Sequence, residues 1–245
     1  MFNLLKADIY RLFKTKSYYI VGILLGLFIT MVMYSLGEIP EHGVNPSNLQ
    51  FIDLVYNSFM GTFIIMIIGI EGAVYICTDY SSGSIKNIAS SVNRKSSIAI
   101  SKFIAYAIGV ALYIVFILIV AYIFGNVFIG NVVIGDIGKI ASYLGMVYFL
   151  MLVMMGVVVL SSSLFRNNAA SITTLVLVIL VSGFLYTSLN QFLGSDLSEF
   201  SPIINYQMLT PDNTNTWLTT ILSGLGFLGV YLVGSAILME KKDIT

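Results

Sequence analysis

Phe103–Phe124 reads FIAYAIGVALYIVFILIVAYIF, an unbroken apolar run with no charge and no proline. Wound as a helix it rises about 33 Å, enough to cross the hydrocarbon core of a bilayer. Five further runs of the same kind lie at Tyr18–Leu36, Leu54–Cys77, Ile140–Leu160, Ala169–Leu189 and Trp217–Met239. The chain as a whole is 58% hydrophobic and 10% charged, with a mean hydropathy of +0.93. A soluble domain carries roughly 25% charged residues, so this chain lacks the polar surface to face water. The expected fold class is an all-α membrane protein of six transmembrane helices. Those spans use up most of the 245 residues and leave no room for a soluble catalytic or nucleotide-binding domain.

Charge placement sets the expected orientation. The twelve Lys+Arg and twelve Asp+Glu cancel, but six crossings put eleven of the basic residues on one side with four acidic ones, Asp8, Asp79, Glu240 and Asp243. Lys139 stands opposite with Glu38, Glu41, Asp53, Asp136, Asp196, Glu199 and Asp212, and all four prolines, Pro40, Pro46, Pro202 and Pro211, fall there too. The positive side is the cytoplasmic one, so both termini are expected in the cytoplasm. The N-terminal basic and apolar stretch reads as an uncleaved first span, because its apolar run is too long for a signal peptide and Ser35-Leu36-Gly37 is a poor cleavage site.

Residues 1–16, MFNLLKADIYRLFKTK, precede the first span. On a helix Phe2, Leu5, Ile9, Leu12 and Phe13 share one sector, while Asn3, Lys6, Arg11 and Lys14 lie elsewhere. Such a helix either lies in the interface with its cations near anionic headgroups or serves as a basic topology anchor; both readings place it on the cytoplasmic surface with membrane lipid as a partner. Between spans 2 and 3 the loop 78–100 carries TDYSSGSIKNIASSVNRKSSIAI. Ser84 can cap a helix whose Ile85, Ile88, Ala89 and Val92 share a face, and that face can meet lipid or a groove in a second protein.

Glu71 is the one ionisable residue well inside a span, about 10 Å from the cytoplasmic edge at Thr78. A carboxylate at that depth must face the bundle or a wet cavity. It is a candidate for the substrate path, or for a structural carboxyl bonded to Ser, Tyr or backbone. Gly22 with Gly26, and Gly69 with Ala73, are small-residue pairs suited to close packing within the chain. Asn190–Thr216, with Phe192, Phe200 and Tyr206, reads either as short helices dipping into the outer interface or as an aromatic-anchored loop with Trp217 at the interface. Cys77 and His42 are a lone cysteine and a lone histidine, which excludes a disulfide scaffold and a Cys/His zinc site.

Asp79-Tyr80-Ser81-Ser82-Gly83-Ser84-Ile85-Lys86-Asn87-Ile88, followed by Asn93-Arg94 and by Ser101-Lys102 at the next span, resembles the cytoplasmic loop of ABC-2 type transporter permeases. Ser84 stands where that pattern more often has Thr. The overall layout is similar too, and at this length it looks most like the small six-span permeases that export, or confer immunity to, bacteriocins, lantibiotics, bacitracin and related peptide toxins. The resemblance implies an ABC-2 (type V exporter-like) permease in a bacterial cytoplasmic membrane. It implies two partners, ABC ATPase subunits docking on the Ile85–Val92 helix and a second six-span permease, with an amphipathic peptide as substrate. Asp79, Gly83, Ile85, Lys86, Ile88 and Arg94 become the candidate coupling residues, so Ile85→Asp or Ile88→Asp should uncouple the ATPase.

The chain has no G-x-x-x-x-G-K-[ST] phosphate loop, so ATP and Mg are expected on the partner ATPase and no cofactor here. An ATP-independent carrier or channel is the alternative, but it needs ionisable groups near the midplane, and the sequence offers only an off-centre Glu71. An intramembrane enzyme would need a metal motif, paired aspartates or a Ser/His arrangement, and none is present. Nothing points to nucleic acid.

Overall fold

The computed structural model describes residues 2–38, 50–92, 94–130, 132–193, 200–211 and 217–241. His42, Pro40, Pro46, Glu41, Asn93, Asp196, Glu199, Asp212, Lys242 and Asp243, all placed above, lie outside the described residues. The helices are α1 Phe2–Lys14, α2 Lys16–Glu38, α3 Phe51–Phe59, α4 Phe63–Ser81, α5 Ser84–Ser91, α6 Ser96–Phe128, α7 Ile137–Phe165, α8 Asn168–Leu193, α9 Pro202–Met208 and α10 Trp217–Lys241. Six of them, α2, α4, α6, α7, α8 and α10, are long and apolar enough to cross a membrane, as the hydropathy requires of a multi-pass membrane protein.

The second span differs from its sequence reading. Leu54–Cys77 is not one helix: α3 and α4 are separated at Met60–Thr62. Gly61 sits at φ +85°, a left-handed conformation that breaks the helix and that glycine alone adopts freely. The break carries a single polar side chain, Thr62, so the run still averages as apolar. α3 is therefore a separate helix, packed through Ile52, Leu54, Val55 and Phe59 against α6 and its neighbours. Its start is closed by a capping box in which Gln50 N donates to Asp53 Oδ2 at 3.0 Å. At the same end Asp136 caps α7, accepting from Gly138 N at 2.8 Å and Lys139 N at 3.3 Å. Two of the expected outer acidic residues thus hold helix starts.

The third span is longer than Phe103–Phe124. α6 runs 33 residues, about 50 Å, well beyond a hydrocarbon core of about 30 Å. Ser96, Ser97, Ser101 and Lys102 dilute the hydropathy of its first two turns, yet Ile98, Ala99, Ser101 and Lys102 are all buried there. The loop expected over 78–100 contracts accordingly to Ser82–Lys95, most of it α5.

Packing centres on α4 and α7, which bury over half of their spanning residues, whereas α2, α8 and α10 bury fewer than one in five. The small-residue pairs face the chain's own helices. A Cβ on Gly26 would stand 3.3 Å from Phe116 of α6, and one on Gly69 would collide with Leu175 of α8. Between α8 and α10 a short helix does form, α9. Ser201 accepts from Ile204 N at its start, and the Tyr206 hydroxyl donates to the Phe59 carbonyl at 3.0 Å.

α1, α5, the turn from α7 to α8 and the end of α10 share one end of the bundle. Ser96 Oγ donates to Glu240 at 2.8 Å, and the Arg166 guanidinium lies 5.9 Å over the Tyr80 ring. α3, α9 and the α6–α7 connection share the other end, where Phe51 N donates to the Val133 carbonyl at 2.8 Å.

Candidate functional site

α4 leads into α5 through a tight turn. Ser82 N donates to the Thr78 carbonyl at 2.9 Å, and Gly83, at φ +71°, is the residue that starts α5. Ser84 was expected to cap this helix, and it does not. It is already the first helical residue, and its hydroxyl turns back to donate to Asp79 Oδ1 at 2.9 Å.

The carboxylate of Asp79 gathers four elements. Oδ1 accepts from Ser84 of α5, while Oδ2 accepts from Lys102 Nζ of α6 and from Arg11 Nη1 of α1 at 3.4 Å. Asp79 itself belongs to the last turn of α4. Lys102 is 1% exposed and its ammonium also lies 5.1 Å over the Tyr75 ring. A cation in that setting is tolerable only because it is paired and sits over an aromatic face.

The same junction holds α1. Leu12 is fully buried and packs where Gly109 of α6 has no side chain; a Cβ there would stand 2.8 Å from its Cδ2. One turn earlier Asp8 is also buried, accepting from Ser101 Oγ at 2.5 Å, while its backbone carbonyl accepts from the Tyr75 hydroxyl at 2.8 Å. Burial pushes the Asp8 carboxyl above the usual range, with Lys102 and the Ser101 hydroxyl pulling the other way. α1 is therefore not simply laid on a lipid surface. Asp8 and Leu12 dock it onto α4 and α6, while Leu5, Ile9 and Phe13 remain half-buried.

The six coupling candidates divide into three groups. Asp79 and Gly83 form the junction and the turn. Ile85 and Ile88, 4% and 6% exposed, belong to the same apolar cluster as Ile76, Ile98 and Met239. Their face of α5 is thus occupied by the chain itself and is closed to lipid or to a second protein. Periodicity identified the buried face correctly, but the early start of α6 supplied an apolar wall that the sequence reading assigned to a loop. The outward face of α5 is Lys86, Asn87 and Ser90, with Arg94 exposed just beyond.

Glu71 is 1% exposed and faces the Tyr106 and Ser17 hydroxyls. Tyr106 donates to the Ile68 carbonyl at 2.6 Å, and neither Glu71 oxygen has a partner at ordinary hydrogen-bond geometry among the described residues. The carboxyl points into the packed bundle two turns below Asp79 on the same helix, and Tyr106, stacked 5.9 Å from Tyr75, stands between it and the junction. No three His, Cys, Asp or Glu side chains gather as a metal site among the described residues.

Arg11, Asp8 and Tyr75 are members of the junction that the sequence reading did not single out. One signal was available: Leu4, Asp8 and Leu12 recur every fourth residue, a helical stripe with a carboxylate in its middle. A family model described as ABC-2 family transporter protein matches residues 4–185, from α1 into α8 and well over half of the chain. No curated protein matches it.

Proposed function

Because this chain belongs to the ABC-2 family of transporter proteins, and so is a permease component that works with an ABC ATPase, we propose that the Asp79 junction transmits ATPase motion to the membrane helices. The observation that carries this is the sharing of one carboxylate by α1, α4, α5 and α6. An ATPase that seats against Lys86, Asn87 and Ser90, with Arg94 beside them, pushes on a helix whose inner face is anchored by Ile85 and Ile88. The Ser84 and Lys102 bonds to Asp79 then turn a displacement of α5 into a displacement of α4 and α6. Gly83 is the hinge of that movement.

The basic residues orient the junction toward the cytoplasm in a bacterial cytoplasmic membrane. The transporter is an exporter completed by a second six-span permease, and the lightly buried faces of α2, α8 and α10 are surface available to that subunit and to lipid. Its substrate is an amphipathic antimicrobial or toxin peptide. The likeness in length and layout to small six-span peptide-toxin permeases is what supports that class; Glu71, 1% exposed beside Tyr106, fits a structural carboxyl better than a group on the path. Coexpression with its ATPase tests the reading: the complex should copurify and hydrolyse ATP faster when such a peptide is added. Copurification without any peptide response would remove the substrate class, and no copurification would remove the coupling role.

A further inference from the structure

Beside the junction, α1 and the end of α4 enclose a cleft of about 240 Å³ lined by Arg11, Lys14, Thr15, Tyr75, Thr78 and Asp79. Its charge is unbalanced. Asp79 is already held by the buried Lys102, so the cations of the cleft are in excess. Arg11 is 42% exposed and reaches the carboxylates through a single nitrogen, Nη1, at 3.4 and 4.0 Å, although a guanidinium carries five donors. Lys14 is exposed and lies 5.6 Å over the Tyr10 ring; it forms no ion pair among the described residues.

The helix ends add little to that charge, because Thr15 alone separates α1 from α2 and the negative end of one meets the positive end of the other beside the cleft. Arg11 and Lys14 supply the excess, and one further feature suits the cleft to a headgroup. Phe13 packs on the chain's own core against Tyr18, while the half-buried Leu5 and Ile9 leave apolar surface on α1 that suits the boundary between acyl chains and headgroups. We infer that this cleft binds the phosphate of an anionic phospholipid, held between Arg11 and Lys14. A phosphate there competes with Asp79 for Arg11, so an occupied cleft loosens α1 from the junction and lipid composition tunes coupling. The orientation proposed above fixes only which leaflet supplies the lipid.

Native mass spectrometry of the full-length permease in detergent tests the site without any ATPase, so its outcome is separate from that of the coupling reading. Phosphatidylglycerol and phosphatidylcholine are the probes, with inorganic phosphate as competitor. Lys14→Gln is compared with Lys6→Gln, which removes the same charge from the exposed side of α1, outside the cleft. Phosphatidylglycerol should be retained over phosphatidylcholine, weakened about fivefold by Lys14→Gln and hardly at all by Lys6→Gln. Equal retention of the two lipids, or equal losses in the two variants, would overturn the site. Displacement of the lipid by millimolar-range phosphate would overturn the assignment to a lipid.

Discussion

Replacing Asp79 by Asn leaves Lys102 buried without its counter-charge. Removing one partner of a buried ion pair costs about 3–5 kcal/mol. Here the carboxylate is 14% exposed and Asp8 lies close enough to answer part of the charge, which puts the loss near the lower bound, about 3 kcal/mol. For a chain of this size that lowers Tm by roughly 6–12 °C. Lys102→Met should cost less, about 1–2 kcal/mol, because Asp79 keeps Arg11 and Ser84. The decisive variant is the double one. With both charges gone there is no uncompensated ion, so Asp79→Asn/Lys102→Met should recover at least half of the loss caused by Asp79→Asn alone. The assay is built in: Cys77 is the single cysteine and is fully buried, so a thiol-reactive dye reports unfolding of the detergent-solubilised protein. A double variant that falls by the sum of the two singles would refute the junction as an energetically coupled unit.

Asp8→Asn should change the pH dependence of stability. A carboxyl held above its ordinary value of 3.8 favours the fold fully below that value and loses the contribution as pH rises through the folded-state pKa. Wild-type Tm should therefore fall relative to Asp8→Asn on going from acid to neutral pH; a difference that grows in the opposite sense would contradict the buried placement. Gly83→Ala meets no neighbour within 4 Å, so its whole effect is backbone strain, about 1 kcal/mol, and Gly83→Asn should be milder; the same thermal assay checks the order. Ile85→Ala should speed hydrogen exchange of the α5 amides by opening its inner face, whereas Lys86→Ala should leave exchange unchanged. Equal effects would mean that α5 is not anchored as described.

Much of the architecture was legible in hydropathy. All six spans appear near their expected positions because about 20 apolar residues in a row admit few other structures in lipid. What hydropathy cannot register is backbone conformation, and the Gly61 break went unseen inside a run that averages as apolar. Nor can it see a polar helix start that packs well, which is why the first turns of α6 read as loop. The site was half visible. The i, i+3 spacing of Ile85 and Ile88 correctly marked a buried face, but periodicity says that a face is covered and not by what. Asp79 and Lys102 stood in the resembling loop as separate positions. The pairing of Asp79 with Arg11 spans 68 residues of sequence and depends on α1 docking through Asp8, which a charge count treats as one more solvated acid.

The central claim is that an ABC ATPase seats on the outward face of α5 formed by Lys86, Asn87 and Ser90. Asn87→Cys in a Cys77→Ser background, crosslinked in native membranes with a short thiol-to-amine reagent, tests it directly. The adduct at Asn87 should contain a protein with an ATP-binding phosphate loop, and the same reagent at Val133→Cys, at the far end of the bundle, should yield none. An Asn87 adduct without an ATPase, or the same ATPase captured equally from Val133, would contradict the account.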